Sequence, residues 1–384
     1  MGFETVKLKD LTINLDNKRK PLNELERKSL KKKGLYPYCG ANGVLDYIDE
    51  FIFDQEILCI AEDGGSWGFR EKCAYIINEP CWVNNHAHVL VAKENVNVKY
   101  LCYYLNYTDL SKHITGTTRG KLTKSALEKI EVKIPDYSTQ NKIVNALDKA
   151  QELIDKRKAQ IEALDQLTQS VFLEMFGDPL RNNKNFEVVK LGEYTTHVSS
   201  GVTPRGGQSA YVPQGIPLIR SQNVHMNKLN LDDVVFITEE VHESMKRSQL
   251  RKYDVLLNIT GASIGRVAVY LGENNQANVN QHVCIIRLTE GVNPFYLSYY
   301  IASPQFQYSI KLLNSGATRE ALNYTQIKNF NILLPPLELQ NKFAEIVQKI
   351  ESQKDLLQKS LEELENNFHS LMQRAFKGEL FNEQ

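Results

Sequence analysis

Residues 135–176 read PDYSTQNKIVNALDKAQELIDKRKAQIEALDQLTQSVFLEMF, and residues 335–376 read PPLELQNKFAEIVQKIESQKDLLQKSLEELENNFHSLMQRAF. The second stretch repeats the first without a gap, two hundred residues further along the chain. The matched residues include Pro135 with Pro335, Gln140-Asn141-Lys142 with Gln340-Asn341-Lys342, Leu164 with Leu364, and Phe176 with Phe376. Proline suits the first turn of a helix, and neither stretch is interrupted by glycine or proline after its start. Each copy therefore predicts one long helix.

Both stretches carry apolar residues at alternating steps of four and three, which is the a/d pattern of a coiled coil. The seam positions are Ile143, Leu147, Ala150, Ile154, Arg157, Ile161, Leu164, Thr168, Val171 and Met175 in the first copy, and Phe343, Val347, Ile350, Lys354, Leu357, Leu361, Leu364, Phe368, Leu371 and Ala375 in the second. One copy alone fits an amphipathic core helix equally well. Two copies, with their polar exceptions (Arg157, Thr168 and Lys354) in different places, favour two helices that pack on each other.

The repeat extends beyond the helices. The opening residues Phe3, Glu4, Val6, Lys7 and Leu8 recur as Phe186, Glu187, Val189, Lys190 and Leu191; Val83, Asn84 and His86 recur as Val279, Asn280 and His282; and Gly116, Thr118, Arg119 and Leu122 recur as Gly316, Thr318, Arg319 and Leu322. Short Ile-, Val- and Tyr-rich runs between glycine turns predict strands. We therefore expect an α+β chain with globular domains at 1–136 and 179–336, followed by long helices at 137–178 and 337–384.

Composition narrows the class of protein. The chain has 384 residues, of which 24% are charged and 42% apolar, as in ordinary globular proteins. No apolar run reaches the roughly 18 residues of a membrane span, and the first residues lack the apolar core of a secretory signal. The six cysteines contain no C-x-x-C pair. These features favour reduced thiols and a cytoplasmic location, with no membrane partner.

The net charge is zero, but its distribution is uneven. Residues 1–136 hold 20 Lys and Arg against 19 Asp and Glu, and residues 179–336 hold 15 against 11. The helical stretches hold 5 against 7 and 6 against 9. A polyanion would therefore be bound by the globular parts, although the imbalance is small. The basic run at 18–33 is either a solvated loop or short helix, or an edge that contacts phosphates.

Several motifs resemble catalytic or cofactor sites but lack residues or spacing that those sites require. Gly120-Lys121 lacks the spacing and the Ser or Thr of a P-loop. The glycine turn at 261–265 is followed by a strand rather than a helix, which disfavours a dinucleotide or S-adenosylmethionine site. The Asn-Pro-Phe-Tyr run at 293–296 lacks the second proline of an amino-methyltransferase box. His86 and His282 have no metal-ligand neighbours and are predicted to be structural. We expect no catalytic residue, metal or cofactor in this chain.

The remaining possibility is that the chain recognises a polyanion in a sequence-specific way. Asn and Gln side chains read adenine bidentately, and Arg reads guanine. The candidate DNA-binding residues in predicted loops are Arg70, Asn84, Asn85, Thr118, Arg119 and Lys121 in the first block, and Arg205, Arg220, Gln222, Asn223, Arg266, Thr318 and Arg319 in the second. For each residue the alternative is a solvated surface side chain.

The whole chain resembles the specificity subunit of Type I restriction–modification enzymes. The resemblance rests on the repeated helix openings Pro135…Gln140-Asn141-Lys142 and Pro335…Gln340-Asn341-Lys342, on Gly201-Val202-Thr203-Pro204 with Gly215-Ile216-Pro217-Leu218-Ile219, and on Tyr36-Pro37-Tyr38-Cys39-Gly40-Ala41-Asn42-Gly43. The first block lacks the Gly-x-Thr-Pro opening. The two domains are therefore expected to belong to different subtypes and to read different half-sites.

The resemblance implies a non-catalytic subunit. It implies two target-recognition domains that each bind half of an asymmetric bipartite site in double-stranded DNA, and two antiparallel coiled-coil helices that space them in a pseudo-twofold arrangement. It further implies two methyltransferase subunits, which use S-adenosylmethionine to methylate adenine at N6, and two ATP-dependent restriction subunits, with ATP and Mg²⁺ in the partners. The alternatives are a DNA-binding or architectural module that works alone and, more distantly, an enzyme of unrecognised type.

Overall fold

The computed structural model describes residues 3–116, 120–313 and 321–381, and it divides the chain into two compact units. Unit 1 comprises Met1–Lys158 and Lys359–Gln384, and unit 2 comprises Ala159–Gln358. Each unit therefore combines one globular block with one half of each long helix. No helix within the described ranges is long and apolar enough to cross a membrane.

Unit 1 contains short strands and helices before the first long helix. The strands are β1 (Glu4–Lys7), β2 (Thr12–Asn14), β3 (Tyr36–Gly40), β4 (Gly43–Ile48), β5 (Ile57–Ala61), β6 (Ala74–Ile77), β7 (Trp82–Val83), β8 (Ala87–Ala92), β9 (Ile114–Thr115), β10 (Lys121–Leu122) and β11 (Glu131–Ile134). The helices are α1 (Leu8–Leu11), α2 (Glu24–Ser29), α3 (Val98–Tyr107), α4 (Lys124–Leu127) and α5 (Tyr137–Phe176).

The strands of unit 1 form two main sheets. One has the order β2-β8-β5-β6 and the other β4-β3-β7, while β1 pairs antiparallel with β11. Strands β3 and β7 run parallel, and their inner faces share a buried core with β5 and β8. The sequence places apolar β-branched and aromatic residues in these strands, which is what burial on a pleated surface favours.

Unit 2 repeats this architecture. Its strands are β12 (Glu187–Lys190), β13 (Thr195–Ser200), β14 (Ile216–Ile219), β15 (Val224–His225), β16 (Lys228–Leu229), β17 (Val235–Ile237), β18 (Val255–Asn258), β19 (Val267–Val269), β20 (Asn278–Val279), β21 (Val283–Leu288) and β22 (Asn331–Leu334). Its helices are α6 (Glu239–Ser244), α7 (Pro294–Ala302), α8 (Pro304–Leu313), α9 (Tyr324–Lys328) and α10 (Leu337–Lys377).

The sheets of unit 2 have the orders β13-β21-β18-β19 and β17-β14-β20, and β12 pairs antiparallel with β22. These orders match those of unit 1 strand for strand, including the parallel pair β14–β20. The predicted α+β duplication is confirmed. The clearest difference is the connection between the two hairpin strands: β3 and β4 are joined by a two-residue turn, whereas residues 220–234 separate β14 from β17.

The two long helices follow the predicted seam. Helix α5 has 40 residues and α10 has 41, so each is about 60 Å long at ~1.5 Å per residue. Every predicted seam position is buried or half-buried, including the three polar exceptions. Other leucines of α5 and α10, among them Leu153 and Leu356, are exposed. The heptad pattern therefore identified the packed face.

Within each unit the helix halves are antiparallel. In unit 1, Nζ of Lys158 lies 2.8 Å from a carboxylate oxygen of Glu365, and the aromatic end of α10 reaches back to α3. In unit 2, Nζ of Lys354 lies 2.5 Å from Oδ1 of Asp165, and the ring of Phe172 packs edge-on against that of Phe343 at 5.5 Å. The first half of α5 thus meets the second half of α10 in unit 1, and the second half of α5 meets the first half of α10 in unit 2.

The start of each long helix is held by a buried amide, which we call the glutamine clamp. Oε1 of Gln140 accepts the backbone N–H of Asn97 at 2.8 Å, and its Nε2 donates to the carbonyl of Pro135 at 2.9 Å. In unit 2 Gln340 makes the same two bonds with Asn293 and Pro335, each at 2.8 Å. The neighbouring Asn141 and Asn341 each accept from the amide of the same asparagine, which is also the N-cap of α3 or α7. The repeated Gln-Asn pair therefore fixes the start of each long helix to the short helix of its own unit.

The cysteine thiols of the chain are all unpaired, and five of the six are buried. Burial raises the pKa of Cys73, Cys102 and Cys284 to about 12. These thiols are therefore protonated at neutral pH and behave as small apolar side chains.

Removal of a glutamine clamp should destabilise the unit that contains it. Gln140 is 1% exposed, so Gln140→Ala leaves the N–H of Asn97 and the carbonyl of Pro135 without their partner. We expect the free energy of unfolding to fall by about 2–4 kcal/mol, measured by urea unfolding, because each buried unpaired group costs about 1–3 kcal/mol. Gln358→Ala, on the exposed face of α10, is the matched control. Equal stability of the two variants would contradict the clamp.

The Lys354 ion pair predicts a specific response to alkaline pH. Burial by itself lowers the pKa of the Lys354 ammonium, but hydrogen bonds to the carboxylates of Asp165 and Glu351 outweigh it and raise the pKa above its ordinary value. A raised lysine pKa stabilises the folded state below the unfolded pKa, and that contribution is lost as pH rises through the folded pKa. Stability of Lys354→Met should therefore decline less between about pH 9 and 12 than that of the unaltered chain, as followed by thermal unfolding across that range. Parallel declines would refute the role of this pair.

Candidate nucleic-acid interface

In unit 1 four turns at the strand ends form one surface, here called loop cluster 1: Ala41–Asn42, Glu62–Gly65, Asn84–His86 and Gly120–Lys121. The amide of Asn42 donates to the carbonyl of Gly64 at 3.1 Å, and Nδ1 of His86 donates to Oδ1 of Asp63 at 2.7 Å. A backbone bridge joins Asp63 to Lys121. These contacts bring together turns that are far apart in sequence.

A charged network supports loop cluster 1 from below. Glu62 bonds Nη1 of Arg19 at 2.6 Å and Nζ of Lys121 at 3.0 Å. Burial alone would raise the pKa of Glu62, but these two hydrogen bonds outweigh it and lower the pKa. Arg19 also donates to the carbonyl of Ala87 at 2.7 Å, beside the Asn84–His86 turn. Ionised Glu62 therefore fixes the base of the cluster at neutral pH.

The equivalent turns of unit 2 form loop cluster 2: Gly201–Arg205, Arg220–Asn223, Thr260–Ile264, Asn280–His282 and Ala321. Nδ1 of His282 lies 2.6 Å from Oγ1 of Thr260, as His86 lies beside Asp63 in unit 1. Thr260 bridges Ala321 as Asp63 bridges Lys121. Both histidines have hydrogen-bonded structural positions, in agreement with their prediction.

The Gly-x-Thr-Pro motif begins loop cluster 2, and its first position requires glycine. A Cβ on Gly201 would lie 1.7 Å from the carbonyl oxygen of Val279, so only glycine allows the chain to pass this close to β20. Two residues later the hydroxyl of Thr203 donates to Oε1 of Gln281. The Gly-x-Thr-Pro opening therefore positions a side chain of the Asn280–His282 turn.

Gln281 is a candidate base reader that sequence reasoning missed. Its side chain is exposed, and its amide is oriented by Thr203 on one side and by His282 on the other, with Nε2 to Nε2 at 2.9 Å. An amide has four hydrogen-bonding positions, and two of them remain available for a base edge. Asn85 occupies the equivalent exposed position in unit 1. The Val-Asn-x-His repeat identifies this turn in both units. Its third position is the one that differs between the copies, and that difference is the sequence signal for Gln281.

The structure places the other predicted residues in different ways. Lys121 and Asn85 lie in loop cluster 1, and Gln222 and Arg205 lie exposed in loop cluster 2. Arg266 is half-buried at the exit of the Gly261–Gly265 turn. Thr118, Arg119, Thr318 and Arg319 lie outside the described residues.

Three predicted base readers have structural roles instead. Asn84 is buried, and its Oδ1 accepts the backbone N–H of His86 at 2.8 Å. Asn223 is 0% exposed, and its amide bonds the carbonyl of Asn230 and the carboxylate of Asp233. Arg220 donates to the carbonyl of Asp233 at 2.8 Å, which closes the same loop. Asn84 and Asn223 are buried, and Arg220 is tied to the same loop as Asn223, so we favour structural roles over base contacts for these three residues.

Arg70 is also not part of loop cluster 1. It adopts a left-handed backbone conformation, with φ 64°, and its guanidinium lies 4.8 Å from the centre of the Phe69 ring. The pKa of His369 on α10 is lowered, mainly by burial and secondly by the positive charge of Arg70. Arg70 therefore lies beside the long helix rather than among the strand-end turns.

Within the described ranges, no group of three or more His, Cys, Asp or Glu side chains is arranged to hold a metal ion. The exposed polar side chains that the structure describes in the two loop clusters are amide, hydroxyl and cationic hydrogen-bond donors and acceptors. Such surfaces fit hydrogen-bonded recognition of an extended ligand.

Comparison with known proteins identifies the family. The family model for the Type I restriction modification DNA specificity domain matches residues 1–164 and 183–366. The chain belongs to this family. The two matches contain the two blocks and most of both long helices, in agreement with the resemblance drawn from the motifs.

Relatives and solved structures agree with the assignment. The chain is 26% identical over 350 residues to a Haemophilus influenzae protein named as a candidate type I restriction enzyme specificity subunit, covering 88% of this chain and 85% of that one. It is 24% identical over 339 residues to the EcoBI specificity subunit of Escherichia coli, covering 79% and 70%. The fold is similar to the crystal structure of an S subunit from M. genitalium, with a TM-score of 0.61, 14% identity, and coverage of 100% and 97%.

Substitution of Gln281 should relax the reading of one base pair only. We expect Gln281→Ala to reduce discrimination at one position by about 10- to 100-fold, since a bidentate base contact contributes about 1–3 kcal/mol. Binding competition among DNA duplexes that differ at single positions measures this. Gln348→Ala, an exposed amide on α10, is the control. Uniform weakening across all sequences would instead assign Gln281 to the phosphate backbone.

Proposed function

We propose that this chain is the DNA-recognition subunit of a Type I restriction–modification complex, in which loop cluster 1 reads one half of a bipartite site and loop cluster 2 reads the other. The observation that carries the proposal is the pair of loop clusters: one scaffold, repeated, presents different side chains at equivalent exposed positions. Membership of the specificity-domain family supports it. Because the side chains presented to DNA differ between the two clusters, the recognised DNA sequence would be asymmetric.

Among the predicted residues, Asn85, Lys121, Arg205, Gln222 and Arg266 remain candidates for DNA contact, and Gln281 joins them. Of these, Asn85 and Gln281 are proposed to contact bases. Lys121 and Arg205 are proposed to contact phosphates, where a point charge suffices. Thr118, Arg119, Thr318 and Arg319 stay predictions for the same backbone contacts.

The chain itself is proposed to be non-catalytic. Two methyltransferase subunits would bind the helices and methylate adenine at N6 with S-adenosylmethionine, and two restriction subunits would supply ATP- and Mg²⁺-dependent cleavage. A base inside a duplex must be flipped out before its N6 can react, so a pocket in a partner is required. The complex would act in the cytoplasm, where it meets cellular DNA.

The long helices are proposed to set the number of base pairs between the half-sites. Within unit 1 the helix halves are joined by the Lys158–Glu365 ion pair, and within unit 2 by Asp165–Lys354. An alternative, a DNA-binding module that works alone, predicts the same domains but no partner. Co-purification with a methyltransferase subunit separates the two.

A four-residue insertion after Ala159 tests the spacing role. Four residues add about 6 Å of helix, close to one turn, so the spacer should lengthen by about one or two base pairs while both half-sites stay the same. Methylome sequencing of a host that expresses the complex reads the half-sites and the spacer together. Replacement of residues 179–336 by the second domain of another family member is the converse experiment, and it should alter one half-site only.

Two results would count against this division of labour. An unchanged spacer with an altered half-site would mean that the helices do not measure distance. Methylation of DNA by the isolated chain with S-adenosylmethionine would show that the chain carries its own catalytic site.

A further inference from the structure

The β3–β4 hairpin of unit 1 contains a β-bulge. Tyr38 pairs with Asp46 and Cys39 pairs with Val44, so Leu45 is the extra residue between them. A bulge re-aims the side chain of its extra residue and increases the local twist, and such features concentrate at functional sites. The bulge lies beside the hairpin turn, where Gly43 has φ 112°.

The bulge exposes Leu45 at a defined place. Leu45 is 57% exposed and Val44 is 44% exposed, so two adjacent apolar side chains are accessible next to the hairpin turn. A Cβ on Gly40 would lie 2.6 Å from Cδ1 of Leu45 and 3.1 Å from Nδ2 of Asn84. Glycine at position 40 therefore leaves the space that Leu45 occupies, next to the Asn84–His86 turn.

The hairpin tip belongs to loop cluster 1. The hydrogen bond from Asn42 to the carbonyl of Gly64 ties the turn to the loop after β5, and that loop holds the Asp63–His86 pair. Leu45 and Asn84 both lie close to Gly40, and the next residue of the Asn84–His86 turn, Asn85, is the exposed amide of the cluster. An apolar side chain and an amide next to each other match the edge of an A·T pair, which offers a methyl group and amide-compatible polar atoms in the major groove.

Basic residues lie at the other end of the hairpin. The carboxylate of Asp49 accepts the backbone N–H groups of Lys32 and Lys33, and Asp46 bonds Nζ of Lys31. The acids of the hairpin are therefore occupied, while the side chains of Lys32 and Lys33 are exposed. Asp49 lies four residue steps after Leu45, about 13 Å of extended chain, which is comparable with the ~12 Å width of the major groove. A ribbon tip in the groove would leave these lysines near the phosphates.

We propose that the β3–β4 hairpin enters the major groove of the first half-site as a two-stranded ribbon, and that Leu45 contacts the 5-methyl group of a thymine there. This inference rests on the proposed function and adds a specificity-determining contact to it. The occupant is duplex DNA, because the apolar tip adjoins the polar readers of loop cluster 1 and the hairpin carries exposed lysines. In unit 2 the equivalent strands β14 and β17 are not joined by a tight turn, since residues 220–234 separate them.

The test removes the methyl group from the DNA and the side chain from the protein. The complex assembled with its methyltransferase subunits is titrated with duplexes in which each thymine of the first half-site is replaced singly by deoxyuridine. We expect one replacement to weaken binding about three- to fivefold, the effect of one buried methyl group. Leu45→Ala should weaken binding to the thymine duplex by at least as much and should be insensitive to that replacement.

Leu271→Ala removes a leucine of similar exposure (55%) in unit 2, and it should keep the full response to deoxyuridine. Unchanged thermal unfolding of Leu45→Ala confirms that only the contact is lost. Equal responses of the unaltered complex and Leu45→Ala at every thymine would overturn the proposal while leaving the proposed function intact, as would a first half-site without thymine on either strand. Absence of sequence-specific binding by the unaltered complex would overturn both.

Discussion

The buried glutamine at the start of each long helix is the interaction on which the rest of the structure depends. A long helix can leave a domain at many angles, and only fixed contacts at its first turns select one. Gln140 and Gln340 do so through three hydrogen bonds each, at sites where an unpaired amide would be costly. Because each partner asparagine also caps a helix of its own domain, the clamp joins helix, cap and sheet.

Aromatic packing completes what the clamp begins. Tyr100 and Tyr296 follow the two capping asparagines, and their hydroxyls donate to the carbonyls of Lys133 and Leu333. The rings of Phe376 and Phe176 pack edge-on against these tyrosines at 5.6 and 4.7 Å. The last residue shared by the two repeats thus packs against α3 in unit 1 and against α7 in unit 2. The same aromatic packing therefore holds the end of one long helix in each unit.

The loop clusters show how a duplicated scaffold diverges without losing its shape. Backbone bonds between equivalent turns are kept, while Glu62 is replaced by Ile259, Asp63 by Thr260 and Asn85 by Gln281. The support beneath the loops therefore changes from an ionic network to apolar packing. Side chains that face outward change independently, because they share no partner with the core.

Sequence periodicity predicted the parts of the fold that depend on local pattern. The seam of α5 and α10 follows from the spacing of apolar residues, since burial of one face imposes a period on the sequence, and the duplication of the domains follows from the repeat. Exposure within loops has no such period. Asn84 and Asn85 are adjacent and chemically identical, yet one is buried and the other exposed, so no rule of composition could separate them.

The amino-acid sequence by itself determined that the chain has two related domains, each followed by one long helix with a packed seam. The tertiary structure alone decided which polar residues are available to a ligand, because availability depends on hydrogen bonds between turns distant in sequence. Arg220 and Asn223 are used to close a loop, and Gln281 is oriented outward by Thr203 and His282. Sequence alone thus predicted the repeated helices, whereas the orientation of the candidate reader Gln281 is visible only in the folded chain.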